Sequence, residues 1–249
     1  MERNAQPPIE ALFQESYRQL LHIAVALFII PLRWFGFRYA IGFAIAAFLW
    51  NLMVMPRWFK DSFRPSEKQK GYSTGMLVYP ISILVMAVLF PLPIMAAGWA
   101  VLSVSDGFAT LFGKLLGKKS LPWNKKKTWI GLFSFWISAS IFGLLAFLWA
   151  NPNILESSPF SRQVLYLLSR ALYLISGLSA PGNFFYSHSY NNHLMVSHII
   201  SKLFVCSCLS ALFAAFIESL PLSKLDDNII APISYALFLS VVLGLFWIS

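Results

Sequence analysis

Charge is what this chain has least of. Charged residues fill 12% of its 249 positions, against about 25% in a typical soluble domain. That supply is too small to keep a soluble surface wet. Hydrophobic residues reach 58% and the mean hydropathy is +0.67, which excludes an ordinary soluble enzyme and a disordered chain. Cysteine is nearly missing. Cys206 and Cys208 sit two apart in one apolar run and point to different sides of a helix, so neither a disulfide nor a metal pair is expected. The first twenty residues hold Glu2, Arg3, Glu10, Glu15 and Arg18 and no apolar core, so no cleavable signal peptide is expected. There is no G-x-x-x-x-G-K-[ST] loop, no kinase-type G-x-G-x-x-G, no G-x-S-x-G, no H-E-x-x-H and no C-x-x-C, which removes the common nucleotide, hydrolase and zinc motifs. No repeat of 20–50 residues is evident.

What is present is a series of apolar runs of membrane-spanning length. They predict an all-α polytopic membrane helical bundle forming a single domain over 1–249. The spans are expected at about Leu20–Phe35, Phe37–Met55, Gly75–Phe90, Ile94–Phe112, Trp129–Ala150, His198–Leu220 and Ile229–Ile248. A further apolar piece, Val164–Ala180, carries Arg170 at its centre. A charge at mid-bilayer is expensive, so this piece reads as an interfacial or re-entrant helix. The expectation is about seven transmembrane helices plus that one, with eight if the piece crosses. The stretch 151–197 reads as an extended non-cytoplasmic insertion. Its His188, His193 and His198, spaced by five, do not stack on a helix face and read as an interfacial loop.

The net charge is +9. The loop Arg57–Tyr72 carries Arg57, Lys60, Arg64, Lys68 and Lys70, and the loop Lys114–Lys127 carries Lys114, Lys118, Lys119, Lys125, Lys126 and Lys127. Two spans separate them, so both can face the cytoplasm, which the positive-inside bias favours. Basic loops also suit anionic lipid or an anionic substrate such as a nucleotide. Nucleic acid is not an expected partner.

Acids are scarce, so their positions inform. Asp106 is one of four aspartates and lies in the apolar run AGWAVLSVSDGFATLFGKLLGKK, where an acid is a functional candidate by default. Asp106, Ala109, Gly113 and Gly117 share a helical face. That small face admits another backbone, as in G-x-x-x-G packing, or a phosphate, which makes Gly107, Gly113 and Gly117 candidate cofactor contacts. A second group, IESLPLSKLDDNIIAP, brings Glu218, Asp226, Asp227 and Asn228. Helix capping accounts for one of them; adjacent carboxylates suit magnesium carried on a nucleotide. Arg18 and His22 share a helical side at the mouth of the first span with Glu15. Lys126 and Lys127 precede Thr128 and Gly131 at the start of the fifth. Two acidic centres, several lysines and a glycine wall at one interface suit phosphoryl transfer, and the setting points to a lipid acceptor.

These residues resemble the CTP-dependent lipid-alcohol kinases: phytol and farnesol kinases, dolichol kinase and the CTP-dependent diacylglycerol kinase. The likeness runs in order through E-S-Y-R-Q-L-L-H at Glu15–His22, G-M-L-V-Y-P at Gly75–Pro80, S-D-G-F-A-T-L-F-G-K-L-L-G-K-K at Ser105–Lys119, K-T-W-I-G at Lys127–Gly131 and E-S-L-P-L-S-K-L-D-D-N-I-I-A-P at Glu218–Pro232. The E-S-L-P and D-D-N pair is most similar to the phytol kinase branch. Gln19 and Ile130 depart from residues common in the family, lysine and glutamate. The resemblance implies transfer of the γ-phosphate of CTP to an isoprenoid alcohol. It implies roles for Asp106, Lys127, Asp226, Asp227 and Asn228 around CTP and Mg2+, the three aspartates at the metal, with Arg18 and His22 nearby; Lys126 and Glu218 are further candidates at the nucleotide by their position in the sequence. A bacterial inner membrane or a plastid envelope is the implied location, with the site on the cytoplasmic or stromal side. The family is distantly similar to phosphatidate cytidylyltransferases, so transfer of CMP to a lipid phosphate is the alternative chemistry. A transporter is the alternative without chemistry.

Overall fold

The computed structural model describes residues 9–59, 63, 65–163, 193–221 and 226–248. Helices account for almost all of them. Among the described residues the one strand-like pairing is an isolated antiparallel bridge between Ser120 and Thr128. In chain order the helices are α1 (Ile9–Ala24), α2 (Leu32–Trp58), α3 (Pro65–Lys70), α4 (Thr74–Leu89), α5 (Leu92–Leu115), α6 (Trp129–Ala150), α7 (His193–Ser219) and α8 (Asp227–Ile248).

Five helical segments are long and apolar enough to cross a membrane: Leu32–Trp58, Leu92–Leu115, Trp129–Glu156, Ile199–Ser219 and Asp227–Gly244. The other two expected spans are helical but shorter, Ser16–Ile29 and Thr74–Leu89. Five of the seven expected spans, from Gly75–Phe90 onward, match helices to within a few residues. The first two do not. The chain breaks at Ile30–Pro31, and α2 begins at Leu32. Gly36, expected to separate two spans, instead kinks α2 with φ 64°. Glu156, at the end of the 3-10 turn Asn151–Glu156 that follows α6, packs over it, and a Cβ at Gly36 would lie 2.9 Å from the Glu156 carbonyl oxygen. Only glycine takes that conformation and that contact together. Val164–Ala180, Arg170 and His188 lie outside the described residues, as does most of the 151–197 stretch, and so do the side chains of His193 and His198.

α5 is the axis. Every residue from Phe90 to Ser105 is buried, and the apolar window of α5 is 78% buried, against 11% for α2. A helix apolar all round must be enclosed by others. α6 packs along its whole length, with α1, α4 and α8 closing the other sides. α2 lies at the rim, where Trp34, Phe35, Trp50, Met53 and Trp58 are exposed as a lipid-facing surface would require. α6, α7 and α8 are tied together by hydroxyls. Ser207 Oγ donates to the Ser140 carbonyl at 2.9 Å, which leaves the Tyr235 hydroxyl to donate to Ser207 Oγ at 2.8 Å. Gly143 makes room for the Tyr235 ring.

Interhelical hydrogen bonds of this kind are worth about 0.6–1.7 kcal/mol in membrane proteins. Tyr235→Phe is therefore expected to lower unfolding stability in mixed micelles by about that amount. Gly143→Leu, which fills the space of the ring, is expected to lower it further. A wild-type unfolding midpoint for Gly143→Leu would show that α6 and α8 do not meet this way.

Candidate functional site

Asp106 follows a single π-helical turn, Val101–Ser105, in the middle of α5. Such a turn inserts one extra residue and rotates everything after it. Upstream, α5 is buried on all sides; downstream, Asp106, Thr110 and Gly113 reach a partly open face. His22 of α1 stands beside Asp106, Nε2 to Oδ2 3.5 Å, and its Nε2 is 2.9 Å from the Leu102 carbonyl oxygen. A carbonyl can only accept, so this nitrogen carries the ring proton. The ring edge packs on Tyr79 with centroids 4.9 Å apart. Below it, Trp99 Nε1 donates to the Tyr79 hydroxyl at 3.1 Å, and Ser103 Oγ donates to the Trp99 carbonyl at 2.9 Å. The Tyr79 hydroxyl then donates to Ser103 Oγ at 2.6 Å. His22 rests on a fully satisfied buried network.

The basic loop before α6 folds as a hairpin. Leu121 N–H donates to the Lys127 carbonyl at 2.9 Å, and Trp129 N–H to the Lys119 carbonyl at 3.2 Å. Its tip is pinned to the last residue of α7: Trp123 Nε1 donates to Ser219 Oγ at 3.0 Å, and Asn124 Nδ2 to the Ser219 carbonyl at 3.1 Å. This pinning brings Lys127 to the carboxylates. Its ammonium donates to Glu218 and, at 2.7 Å, to Asp227 Oδ2. Burial pulls the Lys127 pKa down, but the two carboxylates outweigh it and hold the ammonium above the ordinary lysine value. Lys127 is therefore charged throughout the neutral range. Asp226 Oδ1 accepts from the Asn228 N–H at 3.0 Å; it is the N-cap of α8, which leaves Asp227 and Asn228 for other work. Asp106, Glu218, Asp226 and Asp227 are near enough to act on one another electrostatically.

Between α5, α6 and the hairpin lies a cleft of about 260 Å³, lined by Ala109, Thr110, Gly113, Lys114, Leu121, Lys126, Lys127, Thr128, Gly131, Leu132 and Glu218. Three lysines and two hydroxyls make it an anion-compatible space. Thr128 caps α6 by accepting from the Gly131 N–H at 3.2 Å.

The glycines expected at a phosphate are used mainly for packing. A Cβ at Gly113 would lie 3.4 Å from Gly131 Cα, one at Gly117 would strike Thr128, and one at Gly107 would come within 2.5 Å of Ile23 in α1. Of the three, Gly113 alone lines the cleft. Arg18 lies one turn before His22 in α1. Its Nη1 lies 3.4 Å from Glu67 Oε2, and Ser73 Oγ donates to the other Glu67 oxygen at 2.8 Å. Glu67 ties α1 to the turn before α4, apart from the Lys127 cluster. Asn228 faces Gly75, where a Cβ would lie 3.3 Å from its Nδ2. Asp106, Asp226 and Asp227 do not form a ready metal cage: among the described residues no three His, Cys, Asp or Glu side chains gather to hold an ion. Asp227 is engaged with Lys127 through Oδ2 and Asp226 with α8 through Oδ1. The donor set therefore suits a hard cation that arrives with most of its own ligands. Glu67, Tyr79, Trp123, Asn124 and Ser219 were not candidates from the sequence; only Glu67, an acid in a basic loop, carried a local signal.

Among the described residues, fold and site define a helical membrane protein with a cleft lined by lysines and Glu218. The chain is similar to proteins named "Probable phytol kinase, chloroplastic" from Triticum aestivum (34% identity over 80 residues, 31% of this chain and 27% of the relative) and from Zea mays (33% over 86 residues, 34% and 28%). It is likewise similar to "Probable phytol kinase 1, chloroplastic" from Oryza sativa subsp. japonica (35% over 82 residues, 33% and 26%). Over about a third of its length, then, this chain is similar to proteins named as probable phytol kinases, and the match spans about a quarter of theirs. No family model matches the chain, and no solved structure matches it.

If the cleft takes polyanions through its lysines, removing one exposed lysine should weaken binding of magnesium tripolyphosphate about two- to fivefold. Lys126→Met is expected to do so in a calorimetric titration. Lys118→Met, outside the cleft, is expected to leave binding unchanged. Equal effects would mean that only overall charge matters.

Proposed function

We propose that the protein is a lipid-alcohol kinase of the phytol kinase type, transferring the γ-phosphate of CTP to phytol or another polyprenol and releasing CDP. The observation that carries this reading is Lys127, held between Glu218 and Asp227 at the edge of a lysine-lined cleft, with the His22–Asp106 pair on the adjacent face of α5. The names of the relatives support the acceptor class.

In this reading the triphosphate lies along the cleft against Lys114, Lys126 and Lys127, with Thr110 and Thr128 offering hydroxyls. Asp227, with Asp226 beside it, would hold Mg2+, which when bound neutralises charge on the transferring group. The acceptor enters from the bilayer with its hydroxyl toward Asp106. The hydroxyl oxygen forms a bond to the γ-phosphorus, the bond from that phosphorus to the β–γ bridging oxygen breaks, and CDP leaves. The hydroxyl proton passes to Asp106. His22 Nε2 already carries its own proton toward Leu102, so it orients Asp106 rather than serving as the base. The positive-inside bias of the lysine-rich loops supports a cytoplasmic or stromal side for this end of the bundle, in a bacterial inner membrane or a plastid envelope.

The test is a split-label assay on detergent-purified protein. CTP labelled on the α- or γ-phosphate is offered with magnesium and a panel of phytol, farnesol, a long polyprenol, diacylglycerol and phosphatidate. γ-Label in a lipid alcohol is expected. α-Label in a lipid, with pyrophosphate released, would overturn the kinase reading in favour of cytidylyl transfer, and no label in any lipid would overturn enzymatic transfer altogether. Asp106→Asn keeps the shape without the base, and is expected to lower transfer about 100-fold or more with the yield of folded protein preserved.

A further inference from the structure

Glu218 stands out among the acids for its position. It sits in the last turn of α7, where the helix end is already negative and a carboxylate is disfavoured. It is also 5% exposed, whereas the Asp227 side chain is 44% exposed. A buried carboxylate at the wrong end of a helix stays charged only where a cation fixes it. That cation is Lys127. The neighbouring residue, Ser219, receives Trp123 and Asn124 from the hairpin. The end of α7 thus grips both the tip of the hairpin and the side chain that leaves its base.

A lysine ammonium has three protons. Two are directed to Glu218 and Asp227, and the third is left for the cleft that Lys127 lines. Resting on the kinase reading above, we propose that Glu218 is a positioning residue: it does not bind the nucleotide itself but fixes the direction in which Lys127 presents its remaining N–H to a phosphate oxygen. Asp227 cannot do this alone. One contact lets the ammonium pivot on a flexible four-carbon stem; two contacts from different helices define its direction.

The test is a double-mutant cycle read as equilibrium binding of CTP with magnesium to the purified full chain, without lipid, alongside unfolding midpoints. Glu218→Leu, which removes the acceptor, is expected to weaken CTP binding about tenfold. Glu218→Gln, which keeps an acceptor oxygen, is expected to stay within about threefold of the original protein. In a Lys127→Met background, Glu218→Leu is expected to add nothing further. Glu218→Met, similar in length and without an acceptor, runs in parallel in case the leucine variant does not fold. Unchanged binding in the Leu and Met variants, or a full further loss in the Lys127→Met background, would overturn the proposal alone. Absence of CTP binding by the original chain would overturn the kinase reading, and the proposal with it.

Discussion

The site depends on one ammonium held by two carboxylates. Lys127 belongs to the hairpin before α6, Glu218 to the end of α7 and Asp227 to the start of α8, so a single cation sets where three elements end. In an apolar surround none of these charges is stable alone. Breaking a buried pair by removing one partner leaves the other uncompensated, which costs far more than the pair itself is worth. The contact is therefore better understood as a register device than as a source of stability. It fixes the hairpin against α7 and α8, and neutral hydrogen bonds from Trp123 and Asn124 to Ser219 hold the same junction.

That junction would be of little use if α6 stood a normal distance from α5. Interaxial separations of 8–10 Å follow from side chains at the contact. Here Gly113 meets Gly131, and the Thr128 hydroxyl reaches the Gly113 carbonyl at 3.4 Å. The glycine contact draws the start of α6, and Lys127 with it, toward the face of α5 that carries Asp106. The π-helical turn at Val101–Ser105 does the complementary work on α5. It lets one continuous helix be wholly buried in its first half and present Asp106 to a partly open side in its second. Close packing and the polar site are thus two results of the same few small residues.

The sequence carried these features unevenly. Spans bounded by a Pro-Leu-Pro turn or by charge, such as Thr74–Leu89 before Pro91 and Trp129–Ala150 after the lysine loop, could be read closely because paired prolines or a run of lysines mark the edge. The break at Ile30–Pro31 could not. The chain is apolar on both sides of it, so hydropathy has no edge to detect, and Gly36 drew the boundary away. Asp106, Glu218 and Asp227 stood out as candidates because acids are rare in this chain, and Lys127 because it closes a run of lysines at the start of a span. Asp226 was legible only as one of two possibilities, and its contact in the structure is the capping one. The Arg18–Glu67 pair and the Trp123–Ser219 bond join residues 49 and 96 positions apart. Such contacts leave no local periodicity, so only the folded chain reveals them. The glycines left both readings open: a small face permits a ligand or a helix, spacing alone does not distinguish them, and Gly113 both packs against α6 and lines the cleft.

Charge balance bears on what the cleft can accept. Lys114, Lys126 and Lys127 face it, while Asp106, Glu218, Asp226 and Asp227 lie in or close around the same volume. Three cations against four carboxylates nearly cancel. A bare polyphosphate would gain little from such a site, because the lysine nearest the acids is already neutralised by Glu218 and Asp227. A polyphosphate that brings a divalent cation meets complementary charge twice, its metal toward Asp227 and its oxygens toward the lysines. Near-neutrality before binding also lets so many charges remain at the end of an apolar bundle, since a surplus of either sign would draw water between the helices or force the termini of α6, α7 and α8 apart. Under the proposed function, the pairing that keeps the charges folded would therefore favour a metal-bearing anion over a free one.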